Sequence, residues 1–440
     1  MYYLIGIKGT GMSALAQILF DLGYEVMGSD KPDHFFTEKP LIERGIKILP
    51  FNKDNIKEDM FIVQGNAFSD THEEVVRAKE LNLKIYTYQE MVGKLTKMFN
   101  TITVAGCHGK TTTSAMLSHV LNNIVGANYL IGDGSGYAIK ENNYFVLEAC
   151  EYKRHFLSYT PQYAIITNIE LDHIDYYKDI DDYIDAFREY ANNAEKMVIA
   201  CGDDQYTHML EPKKPIFFYG LNEDNDIVAR DVNYTNEGTS FDVYVEDNYY
   251  GHFDLPLFGK HMLLNSLAVI GVCYYERLDA KEVSKNLKTF KGAKRRFKEK
   301  VIGDIVTIDD YAHHPTEVKV TIKGARQKYP DKEIVAILKT HTLSRTKEMA
   351  NEFAEALKLA DKAYIMDVGV DREEVGYDDV TYKIIQEKVP GCEYMSLALV
   401  DKLLKHKNAV MLFMSSKDIY VLQEKYEKLL EGEQWKKDLL

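Results

Sequence analysis

Between the β-branched run Thr101-Ile-Thr-Val-Ala105 and a helical pattern that begins at Lys110 stands the loop Gly106-Cys-His-Gly-Lys-Thr-Thr112. Strand, glycine loop and helix in that order are what a phosphate site requires. Gly106 and Gly109 let the backbone amides around Cys107 and His108 turn toward phosphate oxygens, and the helix N-terminus through Thr112 adds partial positive charge. Lys110 reaches the β- and γ-phosphates of a nucleoside triphosphate, and Thr111 can hold Mg²⁺. The strict G-x-x-x-x-G-K-[ST] spacing is not met, because position 104 is Val. The loop is a shortened version, and a plain glycine turn with an exposed lysine is the alternative.

A second loop, Gly6-Ile-Lys-Gly-Thr-Gly-Met-Ser-Ala14, follows the first apolar run and contains G-x-G-x-x-A before a helix. Asp30 follows the next expected strand. Glycines that admit a pyrophosphate, with an acid near a ribose, make a dinucleotide-type fingerprint, although a structural βα turn with a solvent-facing Asp reads the same way. Two loops of this kind imply two sites for phosphorylated ligands. A simple NAD oxidoreductase needs only the first.

The elements that must carry these loops alternate between short strands and helices, the pattern of α/β domains with largely parallel sheets. At 440 residues the chain should form about three domains. Residues 1–97 read as a Rossmann-like domain, with strands near Tyr3–Ile7, Glu25–Gly28, Lys47–Leu49, Met60–Gln64 and Lys84–Tyr86, and a helix over Ser13–Leu22. Residues 98–292 read as a central domain resembling P-loop ATPases. Its strands are expected at Thr101–Ala105, Tyr144–Glu148, Tyr163–Thr167 and Met197–Ala200, and its helices at Lys110–Leu121, Lys260–Arg277 and on to Leu287. An antiparallel patch between Asp226 and Leu255 is marked by Asn/Gly turns. Residues 293–440 resume β/α alternation at Val301–Ile308, Ile334–Leu338, Lys362–Asp367 and Ala409–Met414.

Composition narrows the function. A hydrophobic share of 45% and a charged share of 28% fit a globular protein rather than a disordered one. The longest apolar run, Met262–Tyr275, is broken by Asn265 and Ser266 and is too short to span a bilayer. The N-terminus shows neither a basic leader nor a small-residue cleavage site, and the five cysteines form no C-x-x-C pair, so a cytoplasmic location and no structural zinc are expected. A net charge of −14 argues against nucleic acid as a partner, since Lys294-Arg295-Arg296 is too short a basic patch to offset it.

A longer series of motifs resembles the Mur ligase family over nearly the whole chain. It comprises Gly6–Ser13, Gly28-Ser-Asp30, Gly106–Thr111, Glu148-Ala-Cys-Glu-Tyr152, Thr167-Asn-Ile-Glu-Leu-Asp-His173, Lys294-Arg-Arg-Phe297, Asp309-Asp-Tyr-Ala-His-His-Pro315 and His341-Thr-Leu-Ser-Arg-Thr346. The resemblance implies that the first domain binds the uridine diphosphate of a sugar, the central domain ATP and the last domain an amino acid. It assigns Gly9, Thr10, Gly11 and Met12 to the diphosphate, and Asp30 and Asn66 to the uridine end. Thr111, Glu148 and His173 match the metal ligands, with Glu151 as a further candidate. His261, Asn265 and Asp310 point to ATP, as does Arg296, which neutralises transferred charge. His314, His341 and Arg345 point to the substrate and amino-acid end, where a guanidinium grips a carboxylate bidentately.

The implied chemistry is physically coherent. Bringing a carboxylate to the γ-phosphate sets two anions against each other, so Lys110 and Mg²⁺ must supply positive charge where they meet. An amine then attacks the acyl phosphate after losing a proton, to His173 or to water. The segment Asp185-Ala-Phe-Arg-Glu-Tyr190 lacks the lysine that several family members modify with carbon dioxide. That agrees with the branch joining L-alanine to UDP-N-acetylmuramate. One departure from the family pattern falls in the central domain, where Met262 replaces a common Asn at the adenine end, and the others in the last domain: Lys339-Thr340, Asp367–Arg372 and Ser415-Ser-Lys-Asp418. They leave two alternatives open, a ligase that attaches a ready-made peptide to the same sugar nucleotide and a non-catalytic nucleotide-binding regulator.

Overall fold

The computed structural model describes residues 1–174, 176–370, 374 and 376–438, without the side chains of residues 433–438. Asp371 and Arg372 of the altered third-domain loop lie outside the described residues. The chain forms two compact units. One comprises Met1–Arg230, Asp242–Phe253 and Leu264–Phe290, the other Asp231–Phe241, Asp254–Leu263 and Lys291–Leu440.

The first unit begins with strands β1 (Tyr2–Ile5), β2 (Val26–Ser29), β3 (Lys47–Leu49), β4 (Phe61–Gln64) and β5 (Lys84–Thr87), in the order β3-β2-β1-β4-β5. Every pairing is parallel. This is the Rossmann order, in which the strand order reverses at β1 and ligands sit beyond the strand ends.

The central sheet contains β6 (Asn100–Ala105), β7 (Ala127–Leu130), β8 (Gly136–Tyr137), β9 (Tyr144–Glu148), β10 (Tyr163–Ile166), β11 (Met197–Cys201), β12 (Ile216–Gly220), β13 (Ile227–Thr235), β14 (Gly238–Val245) and β15 (Asn248–Leu255). Its order is β15-β14-β13-β12-β11-β10-β6-β9-β7-β8. β6 is buried between parallel neighbours β9 and β10, so the loop after it emerges at the middle of the sheet. The meander β13–β15 is the expected antiparallel patch, and its strands contribute residues to both units. Apolar side chains of the helix Thr10–Asp21, among them Leu15 and Leu19, share one core with Leu130, Ala138 and Leu147. Gln17 Nε2 donates to Gly134 O at 2.9 Å, fixing the first glycine loop's helix to the turn before β8.

The second unit holds β16 (Lys298–Ile302), β17 (Ile305–Asp310), β18 (Glu333–Leu338), β19 (Lys362–Ile365), β20 (Glu393–Tyr394) and β21 (Ala409–Met414), ordered β16-β17-β21-β18-β19-β20. Ile334, Ala336 and Leu338 enter one core cluster while Val335 and Ile337 enter another, so β18 is buried on both faces. The single strand expected over Val301–Ile308 is instead the antiparallel hairpin β16–β17, because Gly303 at φ 58° turns the chain.

Candidate active site

Gly106 leaves β6 at φ 135° and Gly109 stands at φ 84°, immediately before the helix Lys110–Ile124. Neither tolerates a side chain. A Cβ on Gly106 would lie 2.0 Å from Thr167 Oγ1, and one on Gly109 would lie 2.6 Å from Asn265 Oδ1. Positive φ and close approach together explain the two glycines. The loop is braced from the end of β10. Thr167 Oγ1 donates to Ala105 O and His108 O, and Cys107 N donates to Asn168 O. His108 N donates to Asn168 Oδ1 at 2.9 Å, while Asn168 Nδ2 returns a bond to His108 O at 2.9 Å. Thr167 and Asn168 belong to the motif that ends at His173, yet nothing in its spacing hints that they build the loop.

Lys110 folds back over this loop. Its Nζ donates to Gly106 O at 2.6 Å and Cys107 O at 3.0 Å, and it lies 3.0 Å from Glu151 Oε2. Burial opposes its charge most strongly, but Glu151 together with Cys150, Cys107 and Glu148 outweighs it and holds the ammonium above the usual lysine range. The partner agrees: burial raises Glu151, and Lys110 followed by His173 brings it below the usual carboxylate value. His173 Nε2 is 3.3 Å from Glu151 Oε1, on a backbone at φ 54°. Glu151 is therefore the centre of a lysine–carboxylate–histidine array, a more prominent place than its motif alone suggests.

Thr111 Oγ1 donates to Glu148 Oε1 at 3.0 Å, and Gly132 N holds the other carboxylate oxygen at 2.7 Å. Cys107 and Thr112 are buried beneath the loop, while His108 Nε2 lies 3.0 Å from Glu170 Oε2. The structure thus gathers Gly106, Cys107, His108, Gly109, Lys110, Thr111, Thr112, Glu148, His173 and Asn265 around one loop.

At the other glycine loop, Gly9 precedes the helix that starts with Thr10, Gly11 and Met12. A Cβ on Gly11 would lie 2.8 Å from Tyr88 Oη. Asp30 does not face solvent. It is 8% exposed, and its two oxygens accept Lys8 N at 2.7 Å and Lys31 N at 2.8 Å. Asn66 is exposed beyond β4.

In the second unit, Arg296 is half-buried. Its guanidinium is 3.2 Å from Glu317 Oε1 and 5.1 Å from the Tyr311 ring centroid. Asp310 is buried, and its carboxylate accepts Phe297 N at 2.8 Å and Ala312 N at 2.9 Å. Burial lifts it to about 6 despite Arg296. Burial, reinforced by Arg296, pushes His261 down to about 4, so its ring is neutral at pH 7. His314 caps the helix Pro315–Lys328 through its side chain, with Glu317 completing a capping box. His341 forms a bridge to Gly369, and Arg345 lies on the helix Leu343–Glu348 that follows Thr342 at φ 70°. Lys339, one of the departures, pairs with Asp418 at 2.6 Å. His261 and Asn265 lie on one helix, Lys260–Tyr275, whose first turn belongs to this unit and the remainder to the other.

Three family models match in succession: "Mur ligase family, catalytic domain" over residues 1–100, "Mur ligase middle domain" over 104–273 and "Mur ligase, glutamate ligase domain" over 295–416. The UDP-N-acetylmuramate-alanine ligase MurC of Thermotoga maritima is 25% identical, with a TM-score of 0.81 and coverage of 98% of this chain and 99% of that one. A UDP-N-acetylmuramate:L-alanyl-gamma-D-glutamyl-meso-diaminopimelate ligase of Neisseria meningitides is 26% identical, at TM-score 0.59 over 67% of this chain and 99% of its own. A murein peptide ligase of Psychrobacter arcticus shares the fold at 22% identity and TM-score 0.69, covering 98% of each chain. No described helix is long and apolar enough to cross a membrane. With three successive domains matched and a central glycine loop at which a lysine, a threonine and two carboxylates converge, the chain belongs to the Mur ligase family of ATP-dependent, amide-bond-forming enzymes.

Proposed function

We propose that the chain is a UDP-N-acetylmuramate:L-alanine ligase of the cytoplasm, which uses ATP and Mg²⁺ to activate the muramyl carboxylate as an acyl phosphate and joins it to L-alanine. The observation that carries this reading is Lys110, stowed against Gly106 O, Cys107 O and Glu151 at the mouth of the helix. In the reaction the phosphate oxygens of ATP replace those carbonyls as acceptors, and the ammonium neutralises charge as phosphorus passes to the acceptor. The hydroxyl of Thr111 and the carboxylate of Glu148 are hard oxygen donors side by side, a set that fits Mg²⁺, with His173 as a further ligand. When bound, the ion supplies charge stabilisation between phosphate and carboxylate oxygens.

In this reading residues 1–97 bind the uridine diphosphate through Gly9–Met12, with Asp30 and Asn66 toward the uridine. Residues 98–292 bind ATP through Gly106–Thr112 and Asn265, joined by His261. Residues 293–440 supply Arg296 and Asp310 to ATP and His314, His341 and Arg345 to the acceptor and amino acid. L-alanine is favoured by the similarity to the Thermotoga enzyme over both full lengths and by the helix Ile180–Asn192, which carries no lysine. The second reading, attachment of a peptide, is motivated by the likeness to the Neisseria ligase and by Lys339 and the Ser415–Asp418 turn in the third domain.

Phosphate release with ATP, Mg²⁺ and UDP-N-acetylmuramate, screened across amino acids and the L-alanyl-γ-D-glutamyl-meso-diaminopimelate tripeptide, separates these readings. L-alanine should give the fastest release. Preference for tripeptide replaces the acceptor amine, and no release with any amine from folded protein leaves a nucleotide-binding regulator.

A further inference from the structure

Beside the first glycine loop, one side chain does something that neither phosphate binding nor ribose recognition requires. Lys8 is only 6% exposed, and it contacts the chain that follows β2 at nearly every step. Its backbone N–H reaches Asp30, and its backbone carbonyl accepts the hydroxyl of Thr37. Its ammonium donates to Lys31 O at 2.7 Å and Asp33 O at 2.8 Å, and lies 2.6 Å from Glu38 Oε1. Three partners match the three N–H donors of an ammonium, so this lysine is committed to shaping residues 31–38.

Those residues need the help. Residues 31–36 are all exposed and form neither strand nor helix before the helix Glu38–Glu43. Phe36 is 63% exposed, a large apolar side chain set on the surface. Its position is specific. A methyl group on Gly134 would meet Thr37 Cγ2 at 3.0 Å, Thr10 Cγ2 at 3.5 Å and Phe36 Cε2 at 3.7 Å. Thr10 belongs to the diphosphate loop, and Gly134 belongs to the turn whose Gly132 amide holds Glu148. Phe36 thus stands, with Thr10, beside Gly134 in the turn whose Gly132 amide holds Glu148, the carboxylate proposed above for the metal.

We propose that Lys8 is a positioning residue that straps residues 31–38 beside the glycine loop, so that Phe36 packs against the sugar ring of the acceptor as it spans from diphosphate to reacting carboxylate. The inference rests on the acceptor being a nucleotide-linked sugar, as proposed above. An aromatic face suits the C–H-rich face of a hexose, and an ordered strap spares the site the entropy of ordering that segment on binding.

The test uses the full chain with Lys8→Met, Glu38→Gln and Phe36→Ala. Without ligand, amide exchange over residues 30–38 should accelerate in Lys8→Met and Glu38→Gln but not in Phe36→Ala. Lys8→Met and Phe36→Ala should each raise KM for UDP-N-acetylmuramate by about tenfold, with kcat and the KM for ATP within about twofold of the parent. Faster exchange with an unchanged sugar-nucleotide KM reduces Lys8 to a stabilising contact and overturns the proposal, as does a uniform fall in kcat. If Lys8→Met fails to fold, Glu38→Gln and Phe36→Ala together distinguish the same outcomes. A parent chain that binds ATP but no UDP-N-acetylmuramate removes the acceptor reading itself, and is recognised before any substitution is made.

Discussion

Both glycine loops leave a parallel strand through a glycine at positive φ, Gly6 at 81° and Gly106 at 135°, and each carries one lysine. The lysines are held differently. Lys8 is spent on the chain after the next strand, with two carbonyls and the Glu38 carboxylate as partners. Lys110 is turned onto carbonyls of its own loop, which phosphate oxygens can replace, and onto Glu151, which also faces His173. A lysine near glycines is thus a scaffold in one loop and a stored charge in the other. What separates them is the chemistry of the partners, not the spacing of the motif.

The most severe way to break this contrast is to remove each ammonium in turn. Lys110→Met should lower phosphate release by about 10³-fold or more at saturating substrates, the scale on which a preorganised cation acts in phosphoryl transfer. Lys8→Met should leave saturated turnover nearly intact. If Lys110→Met keeps a tenth of the parent rate, the stored-charge description of the central loop is wrong.

Stability sharpens the same contrast. From sequence alone, Lys110→Ala is expected to end turnover with little effect on folding. The burial of Glu151, 1% exposed, changes the second half of that expectation. Losing Lys110 removes the nearest cation from a buried carboxylate that keeps His173 beside it, and breaking such a pair from one side costs about 3 kcal/mol. Urea denaturation should show that loss in Lys110→Ala and recover most of it in Lys110→Ala/Glu151→Gln, whose turnover stays absent. A double variant as unstable as the single one would mean that the ion pair is not what Lys110 contributes to folding.

Asp310 offers a third balance of charge, one in which burial wins. Its folded value of about 6 lies above the ordinary 3.8, so its contribution to stability is complete below about pH 4 and is lost as pH rises through 6. His261, held at about 4, works in the opposite sense, losing stability as pH falls from 6.5 toward 4. Over this window the two act against each other in the parent chain. Asp310→Asn removes the compensating half, so unfolding free energy should fall more steeply with acid, by up to ~1.4 kcal/mol per pH unit. An unchanged slope would show that Asp310 ionises normally in the folded chain.

How far sequence reaches is visible in the same residues. Strands of buried apolar and aromatic runs, such as Tyr144–Glu148 and Ala409–Met414, are legible to the residue because apolar side chains fall on both faces. β8 and β20 are two residues long and carry no period, and β7 holds Asn128 within it. β12, Ile-Phe-Phe-Tyr-Gly, carries an apolar run that the sequence reading passes over. In the site, residues that follow a glycine or begin a helix are set by local geometry, so Lys110 and Thr111 can be read directly. The bracing of the loop by Thr167 and Asn168 depends on β6 and β10 being neighbours in a sheet. It joins His108 to Asn168 across 60 positions, a distance invisible to any local pattern. The strap made by Lys8 is hidden for the same reason: two of its partners are carbonyls, which every residue has, and the third is the carboxylate of Glu38, far along the chain.

Asp30 gives the finest discrimination between the two loops. Asp30 receives Lys8 N of the first loop as Asn168 receives His108 N of the second, but Asp30 accepts with both oxygens while Asn168 accepts with one and donates with its amide to His108 O. Asp30→Asn therefore keeps one acceptor and turns an N–H toward another backbone N–H, because Asp30 faces two donors, Lys8 N of the first loop and Lys31 N of its own neighbour, where Asn168 faces a donor and a carbonyl. One amide is left unsatisfied at a position 8% exposed, which costs about 1–2 kcal/mol. If Asp30 is chiefly a brace, urea unfolding of the ligand-free variant should show that loss, with UDP affinity falling by no more than the strap's disorder allows. If it is chiefly a ribose ligand, the variant should unfold like the parent while its affinity for UDP drops, and the two loops would then differ in their acids as well as in their lysines.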